Sequence, residues 1–172
     1  MGLIDWFVVR GIEATGLRGE AETYVAAAPE RVYQILSDVT RMGEWSPECY
    51  RCVWLGGASA PAVGARFRGD NWRGWLRWST FCTVTEAEPG RVFAFETKPR
   101  GMKRQTRWRY EMEPHIDGTL LRESFEALWY IRLVFRIAFG SDGAKARLTQ
   151  LEQGAKETLA RIKAAAEAEV GS

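Results

Sequence analysis

Apolar and polar residues alternate along the middle of the chain with a period of two. In "TRWRYEMEP", at 106–114, Trp108, Tyr110 and Met112 share one face, while arginine and glutamate residues occupy the other. This alternation predicts strands with one buried face, and turn sequences such as "EPG" and "PHIDG" separate them. We predict antiparallel strands at 48–55, 64–70, 75–86, 91–98, 105–113 and 119–127.

A helical period replaces this alternation on either side of the predicted strands. After a first strand at 20–28, Pro29 fits the first turn of a short helix, and Asp38 fits the cap of a second one through Met42. Over 141–168, apolar residues recur at steps of three and four, which predicts a long amphipathic helix. Its apolar stripe consists of Leu148, Leu151, Ala155, Leu159, Ile162 and Ala166.

These elements predict an α+β fold, in which a curved sheet of seven antiparallel strands wraps around the C-terminal helix. The sheet has to bury one face, and the long helix supplies the apolar stripe that covers it. The space between the two is the first candidate for a ligand cavity. The length of 172 residues favours one domain. We place that domain at 20–168, preceded by an amphipathic extension at 1–19.

Composition narrows the classes of partner. The 24 Lys and Arg residues nearly balance the 22 Asp and Glu residues, so the net charge of +2 gives no global field for nucleic acid. We expect the basic run at 98–109 to pair with glutamates on neighbouring strands, and we expect no nucleic-acid partner. The 8 Trp residues suit the wall of an apolar cavity or an interaction surface.

The longest apolar stretch is Leu128–Phe139, which Arg132 and Arg136 interrupt. It is shorter than the roughly 20 residues that a membrane span requires. We expect it either to pack over the cavity mouth or to form a lid or a transient membrane contact.

The N-terminal sequence lacks the layout of a signal peptide, and three cysteines fit a reducing environment. We therefore expect a cytoplasmic protein, as a monomer or a homodimer.

Cys49 and Cys52 form a C-x-x-C motif, the spacing of thiol redox sites and of zinc half-sites. On a regular strand, residues three apart point to opposite faces, with Cα atoms about 10 Å apart, beyond the reach of a disulfide. Zinc would also need Cys82 and His115, but structural zinc sites pair their ligands in turns, and here the C-x-x-C pair and Cys82 lie on predicted strands while His115 lies in a turn. We therefore expect sulfurs on opposite faces, with Cys49 bordering the cavity, and no metal or cofactor.

Several stretches resemble one known family. They are "VAAAPERVYQILSDVTRMGEWSPE" at 25–48, "VGARFRGDNWRGWLRWSTFCTVTEAEPGRVFAFE" at 63–96, "TRWRYEMEP" at 106–114 and "GTLLRESFE" at 118–126. Over 20–168 the chain is similar to the START-like (SRPBCC) superfamily, with its helix-grip fold, and within it to bacterial polyketide cyclase/dehydrase-type families. The resemblance implies a pocket for a lipid, a fatty acid or a polyketide-like aromatic molecule. It does not fix a reaction, because one fold hosts many functions.

Three functions remain open at this point: binding of a hydrophobic small molecule, a polyketide aromatase/cyclase or dehydratase, and a protein-interaction adaptor. A polar acid and base deep in the pocket would favour the enzyme, an apolar pocket the carrier, and a filled pocket the adaptor. Strand parity places the charges of Glu48, Arg122 and Glu126 toward the cavity. We name no catalytic residue. The candidate ligand-binding residues are Trp78, Trp108, Tyr110, Phe67, Phe95, Cys49, Glu126 and Trp129.

Overall fold

A single curved antiparallel sheet organises the part of the chain that the structure describes. The structure is a computed structural model, and it describes residues 18–99, 106–127 and 143–168. The strands are β1 (Arg18–Val25), β2 (Cys49–Leu55), β3 (Arg66–Arg73), β4 (Leu76–Glu88), β5 (Val92–Pro99), β6 (Thr106–His115) and β7 (Gly118–Ala127). Their order across the sheet is β1-β7-β6-β5-β4-β3-β2. The predicted fold is confirmed.

The described residues also form three α-helices, which are α1 (Pro29–Ser37), α2 (Met42–Trp45) and α3 (Gly143–Ala168). Pro29 opens α1, where its missing N–H leaves no helical hydrogen bond unmade. The Asp38 side chain accepts a hydrogen bond of 3.1 Å from the Thr40 backbone N–H and so caps a short 3₁₀ turn before α2. Because β1 and β2 lie at opposite edges of the sheet, α1 and α2 carry the chain from one edge to the other.

The apolar stripe of α3 packs against the inner face of the sheet. Ala155, Leu159, Ile162 and Ala166 are buried in the main core, as predicted. Toward its C-terminal end α3 is also tied to the β1 edge. There Lys163 Nζ donates a hydrogen bond of 2.6 Å to the carbonyl oxygen of Tyr24. No helix in the described ranges is long and apolar enough to cross a membrane.

The outer face of the sheet carries paired charges. Arg107 donates to Glu96 at 2.9 Å, and Arg109 donates to Glu86 at 3.0 Å. Both arginines belong to the basic run at 98–109, of which residues 100–105 lie outside the described ranges. The described arginines of the run therefore face glutamates across the strands, as cross-strand pairing of opposite charges requires.

A β-bulge at the start of β2 overturns one expectation from the sequence. Cys49 pairs with Asn71 and Arg51 pairs with Asp70, so Tyr50 is the extra residue. An extra residue shifts the alternation of side chains by one position. Cys49 and Cys52 are therefore both buried on the inner face, whereas Tyr50 and Arg51 are exposed. The strand was predicted correctly, but the expectation that its two sulfurs lie on opposite faces was wrong.

Most of the N-terminal extension and of the apolar stretch lies outside the residues that the structure describes. Residues 1–17 and 128–142 lie outside the described ranges, and with them Trp129. Residues 18 and 19, which the sequence assigned to the extension, belong to β1. The domain limits and the lid therefore stay predictions.

Candidate functional site

A cavity of about 350 Å³ lies between the inner face of the sheet and α3. This volume falls within the range of about 300–1,000 Å³ that is typical of small-molecule sites. Its apolar wall comes from the inward positions of the strands, from α2 and from α3. The larger apolar side chains on it are Met42, Trp45, Phe67, Phe95, Trp108 and Leu151.

Aromatic rings make up one continuous part of that wall. Phe67 and Phe95 meet edge to face with ring centroids 5.2 Å apart. Trp54 packs on the other side of Phe67 at 5.7 Å, and Phe93 packs on Phe95 at 5.8 Å. Such contacts fix the rings in place, so the wall presents a preformed apolar surface.

The cavity also contains a buried hydrogen-bonded pair, Tyr110 on β6 and Glu123 on β7. The Tyr110 hydroxyl donates to Glu123 Oε1 at 2.8 Å. Burial raises the pKa of Glu123 to about 8, against a smaller lowering by the Tyr110 hydrogen bond. Burial, followed by the nearby Glu123, raises the pKa of Tyr110 well above its usual range. Both groups are therefore mostly protonated at neutral pH.

The second carboxyl oxygen of Glu123, Oε2, is available for a further hydrogen bond. Oε2 is buried and makes no hydrogen bond with the described residues. A buried polar atom without a partner costs roughly 1–3 kcal/mol, which a ligand with a matching polar group would recover. The arrangement thus offers one hydrogen bond to a ligand in the cavity.

Three thiols line the wall formed by β2, β3 and β4. The sulfurs of Cys49 and Cys52 are 3.4 Å apart, and Cys82 lies on the neighbouring inner face of β4. The hydrogen bond between the two thiols lowers the pKa of Cys49, whereas the same bond and burial raise the pKa of Cys52. Burial raises the pKa of Cys82 to about 12. The thiols therefore differ strongly in acidity. No group of three or more metal-binding side chains occurs in the described ranges.

Charged and polar side chains mark the side on which the cavity meets solvent. Glu48, the residue before β2, forms a two-pronged ion pair with Arg147 of α3, in which Nη2 donates to Oε2 at 2.9 Å. Arg73 of β3 approaches Glu48 at 4.0 Å. Gln150 and Gln153 of α3 line the same cavity and are exposed. This polar rim connects α3 to the sheet beside the opening.

Five of the eight candidate residues from the sequence are brought together on the cavity wall. Trp78 is half-buried on β4 opposite Asn71, but it is not among the lining side chains. Trp129 lies outside the described residues. The five that line the cavity are Cys49, Phe67, Phe95, Trp108 and Tyr110.

The expected inward position of Glu126 was wrong by one residue. Glu126 points outward and pairs with Arg18 at 3.6 Å, and Arg122 likewise pairs outward with Glu22 at 3.1 Å. On β7 the buried positions are the odd-numbered ones, which places Glu123 inside instead. The sequence did contain this signal, because Leu121, Phe125 and Ala127 share the parity of Glu123 whereas the even positions are mostly polar. Glu48 does line the cavity, as expected.

Comparisons with known proteins agree with this architecture. The family model for "Polyketide cyclase / dehydrase and lipid transport" matches residues 17–167. The solution structure of the Polyketide_cyc-like protein Cgl2372 from Corynebacterium glutamicum is 34% identical, with 92% of this chain and 96% of that chain covered and a TM-score of 0.61. No functionally curated protein matches the sequence.

Two aromatase/cyclases share the fold at lower identity. The Zhui aromatase/cyclase from Streptomyces sp. R1128 is 14% identical, with 90% of this chain and 96% of that chain covered and a TM-score of 0.71. The di-domain ARO/CYC StfQ from the steffimycin biosynthetic pathway is 19% identical, with a TM-score of 0.75. That alignment covers 92% of this chain and 53% of StfQ. At these identities the likeness shows the fold alone.

Proposed function

We infer that this chain, which belongs to the polyketide cyclase / dehydrase and lipid transport family, binds a hydrophobic small molecule in the cavity between its sheet and α3. The observation that carries the proposal is the cavity itself, about 350 Å³ with an aromatic wall. An interior of this kind is typical of ligand sites. A protein that used only its surface would gain nothing from leaving such a volume unfilled, since close packing stabilises a core.

The ligand we propose is mostly apolar, with one or more polar groups. Phe67, Phe95 and Trp108 supply flat apolar surface for an aromatic or aliphatic body. Glu123 offers a hydrogen bond inside the cavity, and the exposed Gln150 and Gln153 on its lining offer further polar contacts. A fatty acid and a polyketide-like aromatic molecule both meet this description. We propose a cytoplasmic location, where the thiols on the wall stay reduced.

The proposal is tested first by native mass spectrometry of gently purified protein and by titration with N-phenyl-1-naphthylamine, an uncharged fluorescent probe. Wild-type protein should bind one probe saturably. Trp108→Ala should weaken binding about tenfold, because it removes a large apolar contact from the wall. Trp75→Ala is the matched control, since Trp75 is 92% exposed and is not among the residues that line the cavity. Absence of saturable binding to the folded wild-type protein would refute the proposal.

A second candidate function is catalysis as an aromatase/cyclase or dehydratase, and the Tyr110–Glu123 pair supports it. Ring closure and dehydration both need proton transfer to or from a carbonyl compound. A carboxyl group whose pKa lies near the working pH can give and take a proton, and burial raises that of Glu123 to about 8. In this function Glu123 would be the proton-transferring group and Tyr110 the donor that orients it.

Deuterium exchange into 1-tetralone tests this second function without knowledge of the natural substrate. If the pair catalyses enolisation, wild-type protein in D₂O should accelerate exchange of the hydrogens next to the ketone. Glu123→Gln should remove at least about 100-fold of that acceleration while retaining the fluorescent probe. Glu113→Gln is the control, because Glu113 is exposed on the same sheet. Equal exchange with wild-type and Glu123→Gln protein would rule out catalysis by this pair.

A further inference from the structure

Two thiols of the cavity wall lie close enough to react with each other. The sulfurs of Cys49 and Cys52 are 3.4 Å apart, and both side chains are buried and line the cavity. A disulfide has a sulfur–sulfur bond of about 2.05 Å, so a movement of about 1.4 Å would bring the pair to bonding distance. Ligand binding as proposed above does not use either thiol, and the pair forms a separate chemical feature of the wall.

The neighbouring strand leaves room for this pair. Gly69 on β3 pairs with Cys52 across the sheet. A Cβ atom at Gly69 would lie 3.3 Å from the sulfur of Cys49 and 3.4 Å from that of Cys52. Any larger residue would crowd both sulfurs. The bulge at Tyr50 places the thiols on one face, and the glycine provides the space into which they project.

The two thiols have different chemical roles available to them. The hydrogen bond between the two thiols lowers the pKa of Cys49 and, together with burial, raises the pKa of Cys52, so the first proton lost from the pair comes from Cys49. The thiolate is the attacking species in thiol–disulfide exchange. Cys49 is therefore the attacking thiol and Cys52 the resolving one. Cys82 is poorly suited to attack a disulfide, because burial raises its pKa to about 12.

We propose that Cys49 and Cys52 form a dithiol site that reacts with low-molecular-weight, apolar disulfides that enter the cavity. The Cys49 thiolate attacks one sulfur of the small disulfide, whose sulfur–sulfur bond breaks and releases one thiolate. Cys52 then loses its proton and attacks Cys49, which releases the second small thiol. The protein dithiol is oxidised by two electrons to an intramolecular disulfide, and the small disulfide is reduced to two thiols.

The proposal assigns a chemical use to the C-x-x-C motif that does not depend on a helix N-terminus or a metal. It also makes the shape of the cavity wall depend on the redox state, since the closed disulfide would pull Cys49 and Cys52 together over Gly69. The small disulfide reaches the pair only through the cavity, because neither thiol is exposed on the outer face.

Reaction of the folded chain with 4,4′-dithiodipyridine tests the site, with the variant Cys82→Ser as the reference. This variant should release two equivalents of thiopyridone and lose two hydrogen atoms in mass, with Cys49 joined to Cys52 in the peptide map. Cys52→Ser in the same background should stop after one equivalent and retain the mixed disulfide on Cys49. Cys49→Ser should react at least about tenfold more slowly.

Three results would overturn the proposal. One is a folded Cys82→Ser protein that stays unreactive over hours, although its denatured form reacts at once. Another is a stable mixed disulfide on Cys49 while Cys52 is present. The third is a wild-type disulfide that joins Cys82 to either partner. Alanine variants replace the serine variants if circular dichroism shows a loss of folding, because alanine places no hydroxyl in the core.

Discussion

At the scale of single residues, the most unusual group is the carboxyl of Glu123. It is 2% exposed, and its one hydrogen bond in the described part of the chain comes from the Tyr110 hydroxyl. An ionised carboxylate without a cationic partner is costly in such a place. The pKa of about 8 follows from that cost. A neutral acid at this position gives the cavity a hydrogen-bond donor without a buried charge.

This shifted pKa predicts how stability depends on pH. The folded-state pKa is raised from 4.5 to about 8, so between these values the folded state binds more protons than the unfolded state. The stabilisation is complete below pH 4.5 and is lost as pH rises through about 8. From pH 5 to pH 8 the wild-type protein should lose roughly 3 kcal/mol through this group. Glu123→Gln should lack that loss.

Urea unfolding at pH 5 and pH 8 measures this difference directly. The relevant quantity is the change in free energy of unfolding between the two pH values, which cancels the constant cost of the substitution itself. Glu113→Gln is the control and should follow the wild-type protein, since Glu113 is exposed on β6. Parallel pH dependence of wild-type and Glu123→Gln protein would contradict a neutral Glu123 in the folded state.

At the scale of elements, the sequence predicted the described strands, α1 and α3 because their apolar residues recur with a regular period. The α3 stripe is an example, since five of its six residues are buried: Leu148, Ala155, Leu159, Ile162 and Ala166. The second short helix was expected to run from Asp38 through Met42, whereas the structure has a 3₁₀ turn there and α2 at Met42–Trp45. The β2 strand shows the limit of such patterns. A bulge inserts one extra residue into a strand, and the pattern of apolar and polar residues does not reveal where it does so. Here the bulge places Cys52 on the same face as Cys49. The dithiol could not be predicted from the period alone.

The sequence contains the information that identifies the inner face of β7. Two adjacent leucines, however, allow two alternative assignments of which residues point inward. Leu120 and Leu121 each begin an alternating series, and a shift of one residue exchanges the two faces of a strand. The series through Leu121 continues with Glu123 and Phe125, and the other continues with Arg122 and Ser124. The apolar series lies inside. The acid of the cavity was thus missed because a buried carboxyl group interrupts an otherwise apolar face, as functional groups often do.

At the scale of the whole molecule, α3 is fastened to the sheet at two places. In its N-terminal part, Arg147 pairs with Glu48, the residue before β2. Near its C-terminal end, Lys163 bonds to the Tyr24 carbonyl of β1 and pairs with Glu167 at 2.7 Å. β1 and β2 are the two edges of the sheet. The helix therefore bridges both edges, and Glu48, the partner of Arg147, lines the cavity together with the exposed Gln150 and Gln153.

This arrangement predicts that the two attachments have separable effects. Arg147→Met should speed dissociation of N-phenyl-1-naphthylamine about fivefold, because loss of a partly buried ion pair of about 1 kcal/mol loosens the rim. Lys163→Met should leave that rate within about twofold, yet lower the melting temperature by roughly 2–4 °C for a similar loss of about 1 kcal/mol. Stopped-flow displacement gives the dissociation rate and calorimetry gives the melting temperature. Equal acceleration by both variants would mean that the whole helix, rather than its rim end, controls release of the ligand.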